Sequence, residues 1–294
     1  MRTEIWKSIN GFVDIAKYPK LPCPYCSSET LSLDQRSFQT KPLPEKYKEM
    51  ASRHYEDQQK LQEARIAERG DLVVSAFDDH PLWGLIVGVC AIGAELAERI
   101  HSIYQCISFF ECEQCQGAVS AVGFSKIHQR RSDSEVQQSP QVKFEYFTPT
   151  IPMMDVSPNV PVGIRSELLD SFKHYHFDPP SSASKLRRAI EQFCHDMGAE
   201  GKNLQRKINS LKDTNPEEAK YLEALKLVGN EGTHSDGVDE QDLLLAFKVF
   251  QYVLELYDRR ARFIATMPDY QKITAKFSNE ISQIEHVKKE GELS

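Results

Sequence analysis

Lys226-Leu-Val-Gly-Asn-Glu-Gly-Thr-His234 is the stretch on which the reading of this chain turns. It follows one helical pattern and precedes another. Its glycines, Gly229 and Gly232, weaken helix continuation and let backbone approach closely. Lys226, Asn230 and His234 are four residues apart, so in helical geometry they line one face. Such a face can bind a phosphate and assist its chemistry. His acts as acid or base near neutral pH, the cation stabilises a pentavalent phosphate, and the amide positions it. RNA cleavage through its own ribose hydroxyl needs only these groups and no metal. The same residues also read as a plain capped helix end, with Asn230 satisfying the terminus, His234 capping or packing, and Lys226 solvated.

Working outward, the flanks are helical. Gly163 to Tyr175 carries Ile164, Leu168, Leu169 and Phe172 on one face. Ser181 to Met197 carries Leu186, Ala189, Ile190, Phe193 and Met197, and Lys202 to Lys212 carries Leu204, Ile208 and Leu211. Asn215 can cap the next helix, with Pro216 in its first turn and Ala219, Leu222, Leu225 and Val228 as its stripe. The last long helix starts near Asp239 or Asp242 and runs past Leu256. Spacings of three and four mark amphipathic helices, and short connections make neighbours antiparallel, hence a bundle. Opposite the Asn230 face, the Ser181 helix offers a polar stripe of Arg188, Glu191 and His195. A further stripe, Ile273, Phe277, Ile281, Ile284 and Val287, can pack on the bundle or on a second copy of the chain.

The N-terminal half has a different logic. Cys23-Pro-Tyr-Cys26 and Cys112-Glu-Gln-Cys115 are two Cys-x-x-Cys turns. Two residues between cysteines let both thiolates of a turn reach one ion, and two turns close a tetrahedral zinc shell with no open position. The expected cofactor is therefore structural zinc. The 85 residues between Cys26 and Cys112 exceed ordinary ribbon spacing, so two unrelated reduced pairs or a redox motif form the alternative. Cys90, Cys106 and Cys194 lie on apolar stripes and read as core. Between the pairs, Pro44 to Arg69 is charged and helical in repeat. A second helix, capped at Asp79 with Pro81 in its first turn, is expected to run to about Tyr104.

Composition sets the limits. The 294 residues suit two domains, and 40% hydrophobic with 27% charged residues reads as soluble and globular. A net charge of -7 excludes a whole-protein basic field for nucleic acid, leaving only local patches. The apolar run Leu82 to Ala94 is too short for a membrane span, which needs about 20 residues, so no membrane partner is expected. Seven cysteines, four of them in Cys-x-x-Cys pairs, and no evident signal peptide predict a reducing, cytoplasmic setting.

Several of these residues carry a resemblance. The Val160-Pro161 lead-in to the first helix, Lys185-Leu-Arg-Arg-Ala-Ile-Glu191, Gly229-Asn-Glu-Gly-Thr-His234 and the cysteine pairs resemble domain-of-unknown-function family 4145. That family resembles the HEPN (higher eukaryotes and prokaryotes nucleotide-binding) helical superfamily. The resemblance is good over residues 143–260, and it implies a bundle, frequent homodimers, and a place in bacterial restriction or antiviral defence, with a protein, RNA or a nucleotide as partner. Many HEPN proteins are metal-independent RNases whose motif is an Arg, often followed by a polar residue, a few positions before a His. His234 matches the His and Asn230 the polar residue, but Gly229 stands where the Arg would be. Lys226 is the nearest upstream cation on that helix, and Lys lacks the planar fork of Arg, although Arg187 or Arg188 can supply that charge from the neighbouring helix.

The expected fold is mainly α. It comprises a zinc-ribbon-like α+β domain at 1–128 with a helical-hairpin insert at about 43–105, and a linker at 129–142. A HEPN-like antiparallel bundle follows at 143–265, then a helical tail at 266–294. The expected function is a non-catalytic or regulatory binding module. The alternative is an endoribonuclease using His234, Asn230 and Lys226 with Arg188 and Glu191.

Overall fold

The computed structural model describes residues 3–57, 101–128, 139–234 and 237–291, with the side chains of 101–102, 231–234 and 278–291 left aside. The chain divides into two compact units. One holds Arg2–Met153 with Phe172–Phe177, and the other holds Met154–Ser171 with Asp178–Ser294.

The first unit is built on an antiparallel sheet of five strands: β1 (Val13–Asp14), β2 (Leu31–Pro42), β3 (His101–Cys112), β4 (Ala118–His128) and β5 (Gln141–Thr148), in the order β1-β5-β4-β3-β2. β3 and β4 pair without interruption from His101↔His128 to Glu111↔Ala118. At the next ladder the register shifts between Val122 and Gly123, where a β-carbon on Gly123 would lie 2.0 Å from the Lys143 carbonyl oxygen. Only glycine permits that approach. Helix α1 (Thr3–Ser8) buries Trp6, whose indole N–H donates to the Met153 carbonyl at 3.2 Å. Tyr18, Phe110, Phe144 and Phe147 form an edge-to-face aromatic core with ring centroids 5.4–6.2 Å apart, within the range where the ring quadrupoles attract.

The sheet changes two expectations. The segment up to Tyr104 is strand, not helix, from His101 onward. Its Ile103, Cys106 and Phe110 are buried, and β3 carries the β-branched and aromatic residues that suit a pleated surface. β5 lies between β1 and β4, so the sheet unit continues through Met153, past the boundary expected near residue 128. Of the expected helical insert, residues 45–57 are helical (α2). Tyr55 of α2 donates to Glu145 Oε1 at 2.6 Å and packs edge-on against Phe12 and Phe124. Most of the second insert helix and most of the expected linker lie outside the described residues.

The second unit is helical: α3 (Val162–His174, whose last turn belongs to the first unit), α4 (Pro179–Asp196), α5 (Leu204–Ser210), α6 (Pro216–His234) and α7 (Glu240–Gly291). Asp178 caps α4 by accepting from Ser181 N at 3.1 Å, with prolines in the first turn. Asn203 caps α5, and Asp239 accepts from Asp242 N at the start of α7. Ile164, Leu168, Leu186, Ile190, Phe193, Leu222, Leu243, Phe247 and Phe250 form the buried core. The overall fold is thus mixed, a sheet unit and a helical unit. Two helices outrun their expected ends. α6 continues through the glycines to His234, and α7 runs unbroken for 52 residues, with Pro268 inside it. The expected tail is the far half of α7.

Candidate functional site

The cysteine turns form the first site. The knuckles are built alike. Ser27 N donates to the Cys23 carbonyl at 3.0 Å, and Gln116 N donates to the Cys112 carbonyl at 2.9 Å. Cys23 N donates to Ser28 O, and Cys112 N to Gly117 O. The residue after each second cysteine is left-handed, Ser27 at φ 58° and Gln116 at φ 59°. The sheet brings the two turns together. Leu21 bridges to Leu31, Leu31 pairs with Cys112, and Glu113 N donates to Thr30 O at 3.1 Å. The separation in sequence is thus closed by the β2–β3 ladder.

The four ligand atoms of Cys23, Cys26, Cys112 and Cys115 lie within 4.8 Å of one another. Cys23 and Cys115 sulfurs are 3.6 Å apart, and those of Cys26 and Cys112 are 3.7 Å apart. A tetrahedral zinc with Zn–S bonds of about 2.3 Å spaces its sulfurs by roughly 3.8 Å. The cluster is therefore consistent with a zinc site, and with four sulfurs it leaves no open coordination position. Around Cys112 and Cys26 the surroundings favour thiolate, whereas at Cys115 the Gly117 amide is outweighed by burial and the neighbouring sulfurs, which push its thiol up to about 12. Ser28 Oγ lies 3.1 Å from Cys26 Sγ and 3.3 Å from Cys112 Sγ, and Thr30 Oγ1 lies 3.4 Å from Cys112 Sγ. Hydroxyl hydrogen bonds from Ser28 and then Thr30 bring the Cys112 thiol down to about 5, and Ser28 lowers Cys26. Away from the cluster, burial pushes the Cys106 and Cys194 thiols up to about 12, as suits core residues.

The second site is the polar network where α4 meets α6. Arg187 Nη1 donates to Asn230 Oδ1. Its Nε donates to Glu191 Oε1 at 3.2 Å, one turn along α4. The guanidinium that reaches Asn230 is thus Arg187. Arg188 points elsewhere and pairs with Glu167 of α3 at 2.6 Å. Lys226 donates to Gln205 of α5, while His195 is exposed. Asn230, Arg187 and Glu191 are brought together, whereas Lys226 and Arg188 have partners on other helices. His234 closes the last turn of α6, and its side chain lies outside the described residues.

Gly229 explains why the network forms. A β-carbon there would stand 2.9 Å from Arg187 Cβ, so the helices meet at this pair. A glycine just before Asn230 was the one signal in the sequence pointing to a close-packed partner. The hydroxyls of Ser28 and Thr30, next to the first cysteine pair in sequence, are a second local signal, since they lie against the Cys26 and Cys112 sulfurs.

Residues 170–282 match the family model described as Domain of unknown function (DUF4145). The chain carries a DUF4145 domain. It spans α4 to α6 and much of α7, so the Arg187–Asn230 network lies wholly within it. No curated protein and no solved structure matches the chain.

Proposed function

We propose that the DUF4145 domain is a non-catalytic, regulatory binding module, and that the cysteine cluster is a structural zinc clasp for the sheet unit. The commitment of the cations carries this reading. Arg187 is held by Glu191 and Asn230, Arg188 by Glu167 and Lys226 by Gln205. A phosphoryl-transfer centre needs cations aimed at the transferring group, whereas here each holds one helix to another or closes a turn. The HEPN-like motifs favour a role within a bacterial restriction or defence system, with a protein, RNA or a nucleotide as the partner. The test is an RNA cleavage assay in EDTA on full-length protein whose fold is checked alongside. No cleavage is expected, together with a stable complex in pull-down or nucleotide-binding experiments.

A metal-independent ribonuclease is the second reading, favoured by one observation. Arg187 brings to Asn230 the planar guanidinium that the Gly229 position lacks. Cleavage by wild type that disappears in both His234→Ala and Arg187→Ala would establish this reading and overturn the first.

A further inference from the structure

The sheet unit carries a hollow that neither the cysteine cluster nor the Arg187–Asn230 network uses. It is open, about 230 Å³ in volume, and lies where β3, β4 and β5 adjoin Phe177. Phe124, Tyr146 and Phe177 supply its rings, and Gln105 and Glu145 supply its polar groups. Every lining residue belongs to the sheet unit.

A β-bulge builds it. Val122 pairs with Tyr146 and Gly123 with Phe144, so Glu145 is the extra residue on β5, with no partner on β4. Such a bulge bends the strand and re-aims a side chain. Here the consecutive residues Glu145 and Tyr146 both line the hollow, which regular alternation along a strand would forbid. Tyr55 of α2 donates to Glu145 Oε1 at 2.6 Å and so fixes the carboxylate, whose other oxygen has no partner among the described residues. The Tyr146 and Phe177 rings stand 6.3 Å apart between centroids with 66° between their planes, a corner rather than a closed stack.

These groups share one chemistry. Ring faces attract a cation, and a fixed carboxylate with a free oxygen accepts strongly from charged N–H donors. Glu145 is the one ionised side chain in the lining. Lys173 and Lys143 stand over the Tyr146 and Tyr55 rings, 5.6 and 5.4 Å from the centroids, and neither lines the hollow. A guanidinium suits the site better than an ammonium, because it is planar, weakly hydrated, and can stack on a ring while its fork meets a carboxylate. The hollow is smaller than the roughly 300–1,000 Å³ of an ordinary small-molecule pocket. Beside it, Ile107 and Phe109 share a face of β3 with Gln105 and are 40% and 45% exposed. A small hollow set in a wider apolar face matches one side chain borne on a polypeptide rather than a free metabolite.

We propose that this hollow receives an arginine side chain of a partner polypeptide, its guanidinium stacked in the Tyr146–Phe177 corner and donating to Glu145. The site goes beyond the role proposed for the DUF4145 domain and does not depend on whether that domain cleaves RNA.

Amide chemical shifts of the full chain, titrated with a capped Gly-Gly-Arg-Gly-Gly peptide at millimolar concentration, test this. The Gly123 and Phe177 amides are expected to shift and saturate. The same peptide with neutral citrulline in place of arginine is expected to bind about tenfold more weakly or worse. Glu145→Gln keeps an acceptor for Tyr55 and removes the charge, and Phe177→Ala removes a ring that is 44% exposed. Each is expected to weaken the arginine peptide about tenfold, with the rest of the spectrum unchanged. No shift at the hollow, or binding indifferent to both citrulline and Glu145→Gln, overturns the proposal. Shifts caused by adenosine and not by the arginine peptide would assign the hollow to a flat neutral ring and overturn it as well.

Discussion

Gly229 of α6 lies so close to Arg187 of α4 that a β-carbon built on it would stand 2.9 Å from Arg187 Cβ and 3.4 Å from Cγ. A Gly→Ala exchange within a helix ordinarily stabilises by about 1 kcal/mol. Here the obstruction is a side-chain root that cannot swing away. Gly229→Ala is therefore expected to lose that gain and to destabilise the helical unit by about 1 kcal/mol, and Gly229→Val by about 2–3 kcal/mol. Thermal denaturation gives the sign. An Ala variant more stable than wild type would show that α4 and α6 can separate freely at this point.

The helices were legible because their buried faces recur at three and four residues, as in Leu186, Ala189, Ile190 and Phe193 of α4. Their ends were less so. Gly229 and Gly232 read as a stop, yet α6 continues, since close packing on α4 uses the missing side chain of Gly229. Pro268 removes one helical hydrogen bond, but α7 runs through it. β2 was invisible because Ser32, Asp34, Gln35, Arg36, Gln39 and Lys41 give no apolar alternation, as suits a strand at the sheet edge with a register shift.

The cysteine cluster was legible because a Cys-x-x-Cys turn is local chemistry, readable without knowing the ladder that joins the two turns. Which arginine meets Asn230 was not. Arg187 and Arg188 are adjacent, and one residue on a helix is a rotation of about 100°. Periodicity placed Arg188 with Glu191 and His195, while the packing at Gly229 sets Arg187 against Asn230 and leaves Arg188 to Glu167.

The cysteine cluster yields a metal prediction. Purified protein is expected to carry about one zinc per chain by elemental analysis. Cys112→Ser is expected to lose it, whereas Cys106→Ser, on a buried strand position away from the cluster, keeps it. Chelation should lower the melting temperature of the sheet unit, because metal-binding free energy is also folding free energy. Metal-free protein with an unchanged melt would refute the clasp.

Glu218 and Arg259 make an asymmetric pair. The Glu218 side chain is 7% exposed and Arg259 44%. Arg259→Ala leaves a buried carboxylate without its cation and is expected to cost about 1–2 kcal/mol, discounted for the exposure of the arginine. Glu218→Gln keeps shape and removes the buried charge, so it should cost less. Equal losses in urea titrations of the two variants would show that the pair acts as an ordinary surface contact.

His176 gives the sheet unit a pH dependence. It is buried beside Tyr175, Phe147 and Trp6, and its Nδ1 has no hydrogen-bond partner. Burial, helped by the Lys143 charge, brings its imidazole down to about 3 from the ordinary 6.5. Between those values the unfolded chain binds a proton that the folded chain refuses, so stability falls as pH falls. The contribution is complete above about pH 6.5 and drains toward pH 3, with a limiting slope of about 1.4 kcal/mol per pH unit. His176→Phe is expected to flatten the loss between pH 6 and 4 relative to wild type, even if its absolute stability is lower through altered packing. Parallel pH profiles of the two proteins would mean that another group refuses the proton.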